Sequence, residues 1–165
     1  MDILSSKWFI GIAIIVLLLI VLIFTGKKSV NAEISINGTK EEVWAVLTNF
    51  TKAKEWNRVL IPIEGTLGVG NKIKYEFYQD EGGKAAVMDA EVRQIKSGEL
   101  INQNGGIPGI LTFNHHYFIK ESGSTTTVKI TEEYRGIMVN FWNPKPVEKA
   151  YERLLVSLKQ KIEAK

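Results

Sequence analysis

Two histidines stand side by side at His115 and His116, and Glu132 follows two residues before Tyr134. Imidazole and carboxylate are the side chains that move protons most readily near neutral pH, so acid–base work would fall to these positions. Successive side chains of a strand point to opposite faces, so the two histidines cannot hold one ion side by side. There is no third histidine and no HExxH, and cysteine is absent. No metal centre, thiolate nucleophile or disulfide is therefore expected. The alternation Leu111, Phe113, His115, Tyr117, Ile119 turns His115 toward the interior. Glu132 and Tyr134 continue the face of Val128 and Ile130, so both are expected inward as well. A carboxylate there could serve as general acid or base, orient a ligand hydroxyl, or rest in a satisfied pair with the inward histidine. Trp56, Tyr75, Phe77, Met88, Phe113 and Trp142 are candidate walls around them. At strand spacing such residues also build plain core.

The elements that must carry these side chains follow from hydrophobic period. Ser29–Asn37 alternates as a half-buried strand. Thr39-Lys40-Glu41-Glu42 fits a capping box, and Val43, Trp44, Val46, Leu47 and Phe50 continue at helical spacing, which predicts a helix from about Lys40 to Phe50. A short helix or turn is expected over 51–56. From Arg58 the period is mostly two, with strands at 59–65, 72–78, 84–95, 100–104, 110–119 and 125–137. Gly or polar turns separate them, Gly105-Gly106 among these. A last helix from about Pro144 to Ala164, capped by Asn143, carries the stripe Val147, Tyr151, Leu154, Leu155, Leu158 and Ile162. This order is α+β, a curved antiparallel sheet of about seven strands around a long C-terminal helix.

Residues Trp8–Phe24 form an uncharged apolar run between Lys7 and Lys27-Lys28. A helix of that length nearly crosses a ~30 Å hydrocarbon core. The expected organisation is an N-terminal transmembrane anchor with flanks over 1–28 and one ligand-binding domain over 29–165. Val30-Asn31-Ala32 offers an alternative, a signal-peptidase site, but the apolar run is long for a signal peptide. Two lysines after the run against one before it favour a single-pass protein with a cytoplasmic domain. Lys and Arg total 21 against 18 Asp and Glu, with no basic block, so nucleic acid is not an expected partner. Gly65-x-x-Gly68-x-Gly70 lacks the following helix of a dinucleotide loop, and no P-loop or GxSxG is present, so no cofactor is expected. Asn37-Gly38-Thr39 and Asn49-Phe50-Thr51 match the glycosylation sequon but also suit capping.

Several strings resemble the START-like (SRPBCC) helix-grip superfamily, in particular its polyketide cyclase/dehydrase and lipid-transport group. They are Glu41-Glu42-Val43-Trp44-Ala45-Val46-Leu47, Trp56-Asn57, Gly65-Thr66-Leu67-Gly68-Val69-Gly70, His116-Tyr117-Phe118 and Glu132-Glu133-Tyr134-Arg135-Gly136, followed by the long C-terminal helix. The family usually has Trp-Asn-Pro where this chain has Trp56-Asn57-Arg58. Its His-Tyr-Phe string would favour His116 as the inward histidine, against the alternation, and a strand bulge would reconcile the two. The resemblance implies a cavity between sheet and helix. A hydrophobic small molecule or lipid, held in that cavity by a membrane-tethered binding or transfer protein, is the expected partner. A cyclase- or dehydratase-like enzyme using the inward histidine and Glu132, and a protein-interaction module with a filled interior, are the alternatives.

Overall fold

The computed structural model describes residues 7–164; the first six residues of the expected anchor segment and Lys165 lie outside the described residues. Helix α1 spans Lys7–Thr25 and buries none of its residues. It is the one helix among the described residues long and apolar enough to cross a membrane. Gly26 alone joins it to strand β1, Lys27–Asn37. The remaining strands are β2 (Leu60–Glu64), β3 (Lys72–Phe77), β4 (Ala86–Lys96), β5 (Leu100–Ile107), β6 (Leu111–Ser122) and β7 (Thr125–Arg135). They form one antiparallel sheet in the order β1-β7-β6-β5-β4-β3-β2. The meander runs from β2 to β7, and β1 closes it by pairing with β7 from Lys27↔Arg135 to Asn37↔Thr125.

Helix α2 (Lys40–Thr48) starts with the expected capping box. Thr39 Oγ1 accepts from Glu42 N–H at 3.2 Å, and the Glu42 carboxylate accepts from Thr39 N–H at 3.0 Å. It stops two residues earlier than the period suggests. Asn49 leaves helical conformation, and its side chain accepts from Lys52 N–H at 3.3 Å, capping a 3-10 turn over Phe50–Lys52. Thr51 Oγ1 donates to Asn49 Oδ1 at 2.7 Å, so both polar residues of that sequon are engaged in the turn. Helix α3 (Ala53–Trp56) follows, and Asn57 ties it to β2. The Asn57 amide donates to Leu60 C=O at 2.6 Å, and its Oδ1 accepts from Val59 and Leu60 N–H.

Helix α4 (Lys145–Glu163) lies in the concave face, with Val147, Tyr151, Leu154, Leu155, Leu158 and Ile162 all buried, as their stripe predicts. Asn143 Oδ1 accepts from Lys145 N–H at 3.2 Å, although Pro144 occupies the cap position itself.

Two glycine sites behave differently from expectation. Gly105-Gly106 lies inside β5 rather than ending it, and the turn falls at Pro108-Gly109. The reason is packing: a Cβ on Gly105 would meet the Phe113 ring at 2.6 Å and Asp89 C=O at 2.3 Å, so glycine admits the Phe113 ring over the strand. Strand β7 ends at Arg135 and does not reach Ile137. Gly136 takes φ +126° and turns the chain into a 3-10 segment, Ile137–Phe141. That segment hydrogen-bonds the β5–β6 loop through Ile137 N–H to Gly109 C=O and Met138 N–H to Ile110 C=O.

The same corner holds the end of α1. Gly136 N–H donates to Gly26 C=O at 3.0 Å, the Asn140 amide donates to Leu22 C=O at 2.7 Å, and Thr25 Oγ1 donates to Asn140 Oδ1 at 3.3 Å. Lys28 donates to Trp142 C=O.

Candidate functional site

Register across the sheet builds the site. Val92↔Gln103, Gln103↔His115, His115↔Glu132 and Glu132↔Val30 are paired, so three polar side chains sit in one inward row with an apolar residue at each end. The β6–β7 pairing is continuous, with no bulge, so simple alternation decides between the histidines. His115 is 2% exposed. His116 lies on the outer face, stacked on Phe118 with ring centroids 5.4 Å apart. It is therefore not part of the inward cluster, and partial burial beside His115 holds its imidazole below the usual histidine range.

Glu132 is also 2% exposed, and three groups converge on it. The hydroxyls of Tyr134, two residues along the same face, and Tyr151, from α4, both donate to its Oε2. His115 Nδ1 stands 3.6 Å from Oε1, ion-pair distance but beyond a hydrogen bond. Neither ring nitrogen of His115 has a hydrogen-bond partner among the described residues. The ring instead meets the aromatic groups of Tyr117 and Tyr151 edge-on, at 4.7 and 5.2 Å. Beside this cluster, Gln103 Nε2 donates to Tyr75 OH at 2.7 Å.

The interior is close-packed. One void of about 30 Å³ lies among Leu47, Phe50, Trp56, Leu67 and Tyr117. A second, of about 10 Å³, lies among Met88, Phe113, His115, Glu132 and Tyr151. Leu60, Tyr75 and Gln103 border both, so these three side chains form the partition. Each void is on the scale of one water, not of an organic ligand. Among the expected wall residues, Trp56 and Tyr75 are buried there, and Met88 and Phe113 line the second void. Phe77 is half-buried with its ring 6.0 Å from that of Tyr151. Trp142 sits one layer out, its ring edge-on to Tyr134 at 4.6 Å.

Two members of the cluster escaped sequence reasoning. Tyr151 reads as one more apolar position of the α4 stripe, yet its hydroxyl is the only polar atom on an otherwise aliphatic face. Gln103 falls on the inward phase of β5 after Ile101, a polar residue where alternation asks for an apolar one. The odd polar group on each face was in the sequence; the partner it meets was not.

The buried phenols have a measurable consequence. Burial pushes Tyr75, Tyr117, Tyr134 and Tyr151 above the ordinary value of 10.0, and the Glu132 charge adds to this for the last three. A raised folded-state pKa means the neutral phenol is favoured in the fold. That stability is fully present below about pH 10 and is lost as pH climbs above it, by about 1.4 kcal/mol per pH unit for each such tyrosine. The melting temperature should fall steeply above about pH 10, and Tyr151→Phe should make the fall shallower. Identical slopes for the two proteins in a thermal-melt series would contradict this.

Comparison with known proteins agrees with the fold. A family model described as polyketide cyclase / dehydrase and lipid transport matches residues 27–163. The fold is similar to that of TTHA0849 from Thermus thermophilus, with TM-score 0.66 and 16% identity over 83% of this chain and 98% of that one. It is also similar to CV1439 from Chromobacterium violaceum, with TM-score 0.67 and 14% identity over 82% and 97%. Truncated norcoclaurine synthase from Thalictrum flavum matches with TM-score 0.57 and 13% identity over 84% and 95%. At such identities these structures share the fold alone. No curated protein matches this chain significantly.

Proposed function

The chain belongs to the polyketide cyclase/dehydrase and lipid transport family, and from that premise we propose that it is a membrane-tethered binding or transfer protein for a hydrophobic small molecule or lipid carrying a polar group. The ligand would lie between sheet and α4, against Trp56, Tyr75, Phe77, Met88 and Phe113, with its polar end at His115, Glu132 and Tyr134 and with Trp142 backing Tyr134 from the next layer. The observation that carries this is His115. A buried polar side chain without a partner costs about 1–3 kcal/mol, and folds rarely retain one without use. A ligand hydroxyl or carbonyl would supply the missing partner.

Entry requires the partition to move. Swinging Tyr75 and Gln103 apart would break one hydrogen bond and open the partition between the two voids. An apolar ligand admitted there would gain ~25 cal/mol per Å² removed from water.

The anchor is proposed to remain attached. Cutting after Ala32 would remove the first half of β1, including buried Val30 and Ala32, and would strip the pairing with Glu132 and Tyr134. The lysine balance supports a cytoplasmic domain.

Two other functions each have one supporting observation. Proton-transfer catalysis is favoured by the 3.6 Å approach of His115 to Glu132. A protein-interaction module is favoured by the filled interior, with a single water in the small void satisfying His115. Native mass spectrometry of the detergent-extracted chain separates them. A carrier should retain an apolar adduct that Ala90→Val, which narrows the second void at its wall, reduces. Glu132→Gln should weaken binding of that adduct only by the ~0.5–3 kcal/mol of an orienting hydrogen bond. A bare mass under all conditions would count against any ligand. Turnover of the adduct by wild type, lowered ~10²-fold or more in Glu132→Gln, would establish the enzyme instead.

A further inference from the structure

Six large apolar side chains are exposed together where α1 meets the domain. Phe24 lies in the last turn of the helix, Ile107, Ile110 and Leu111 lie on the β5–β6 loop and its flanks, and Met138 and Phe141 project from the 3-10 segment. Phe141 is 74% exposed and Ile107 61%. The fold holds them as one unit. The 3-10 segment is hydrogen-bonded to the β5–β6 loop, and Asn140 and Gly136 are hydrogen-bonded to Leu22 and Gly26. A side chain on Gly109 would touch Ile23 Cδ1.

Their level relative to α1 sets what covers them. At roughly 1.5 Å per residue the apolar run Trp8–Phe24 is about 25 Å long, shorter than a ~30 Å hydrocarbon core. Its last turn therefore has no spare length with which to rise clear of the bilayer. Groups packed beside Leu22 and Ile23 lie at the boundary between hydrocarbon and headgroups. Lys27 and Arg135, exposed and paired in register at the rim, stand where lipid phosphates would be.

We propose that the β5–β6 loop and the 3-10 segment are a second membrane contact, inserting Ile107, Ile110, Met138 and Phe141 into the leaflet from which α1 emerges. It rests on the proposal that α1 spans that membrane. The domain then rests on the bilayer in one fixed orientation.

The absence of cysteine makes the test direct. Single variants Ile110→Cys, Phe141→Cys, Val16→Cys and Val156→Cys of the full chain would be labelled with NBD and reconstituted in phosphatidylcholine/phosphatidylglycerol vesicles. Val16 reports the middle of α1, and Val156 an exposed position on α4. Labels at 110 and 141 should emit to the blue of the label at 156 and be quenched by lipids spin-labelled near the headgroup. The label at 16 should be quenched by lipids labelled deep in the chain. Aqueous emission at 110 and 141 with a deep label at 16 would overturn the second contact and leave the anchor standing. Blue emission at 110 and 141 without lipid quenching would mean a protein covers the patch, which also overturns it. Aqueous emission at 16 would remove the anchor and this proposal together.

Discussion

Glu132→Ala should destabilise the domain by about 1–3 kcal/mol, because it takes the shared acceptor from the buried hydroxyls of Tyr134 and Tyr151, which can then pair only with each other. Removing the whole cluster should behave oppositely. With Glu132→Leu, Tyr134→Phe, Tyr151→Phe and His115→Leu combined, no buried polar atom is orphaned and the site becomes ordinary core. Exchanging a buried polar network for apolar groups of similar volume is often neutral or stabilising. The four-fold variant should therefore melt near or above the wild type, far above Glu132→Ala. The four positions touch, so their effects will not add. Thermal denaturation of the detergent-solubilised proteins reads the difference. A four-fold variant as unstable as Glu132→Ala would mean that the cluster holds the fold together, and the case for a retained functional site would weaken.

The second large effect lies on the other wall of the interior. Leu155 is 1% exposed in the middle of the α4 stripe, against the concave face of the sheet. Leu155→Ala should cost about 2–5 kcal/mol, the transfer energy of the lost carbons plus that of the cavity they leave. Val156→Ala, one residue on and exposed, should stay within about 0.5 kcal/mol. A loss below about 0.5 kcal/mol at Leu155 would mean that α4 does not carry the core.

The elements were legible where a single period dominates. The α4 stripe and the alternation of β1, β6 and β7 each have one buried face, and that face reads directly from residue type. Alternation and the family string point to different histidines, and with no bulge in β6 it is His115 that is buried. The misses fall where local chemistry is overridden by distant neighbours. Gly105-Gly106 resembles a turn, but the Phe113 ring and Asp89 carbonyl make glycine necessary within the strand. Gly136 resembles an interior strand residue, but Ile110 C=O lies 2.4 Å from where its Cβ would be. Tyr151 joins Glu132 only through the packing of α4 on β7, a contact with no trace in spacing along the chain. The close filling of the interior was equally invisible, since core and cavity wall demand the same residue types.

Gly26 is the sole residue between α1 and β1, and it is hydrogen-bonded to Gly136. Flexible tethers gain reach as about 5–6 Å × √n, so one residue gives a reach of only a few ångströms. If α1 crosses a membrane as proposed, the domain cannot swing out to a facing bilayer or collect cargo from bulk water at a distance. Its encounters are two-dimensional, with partners that diffuse in the same sheet of lipid, and cargo passes to a second membrane only where that membrane comes into contact.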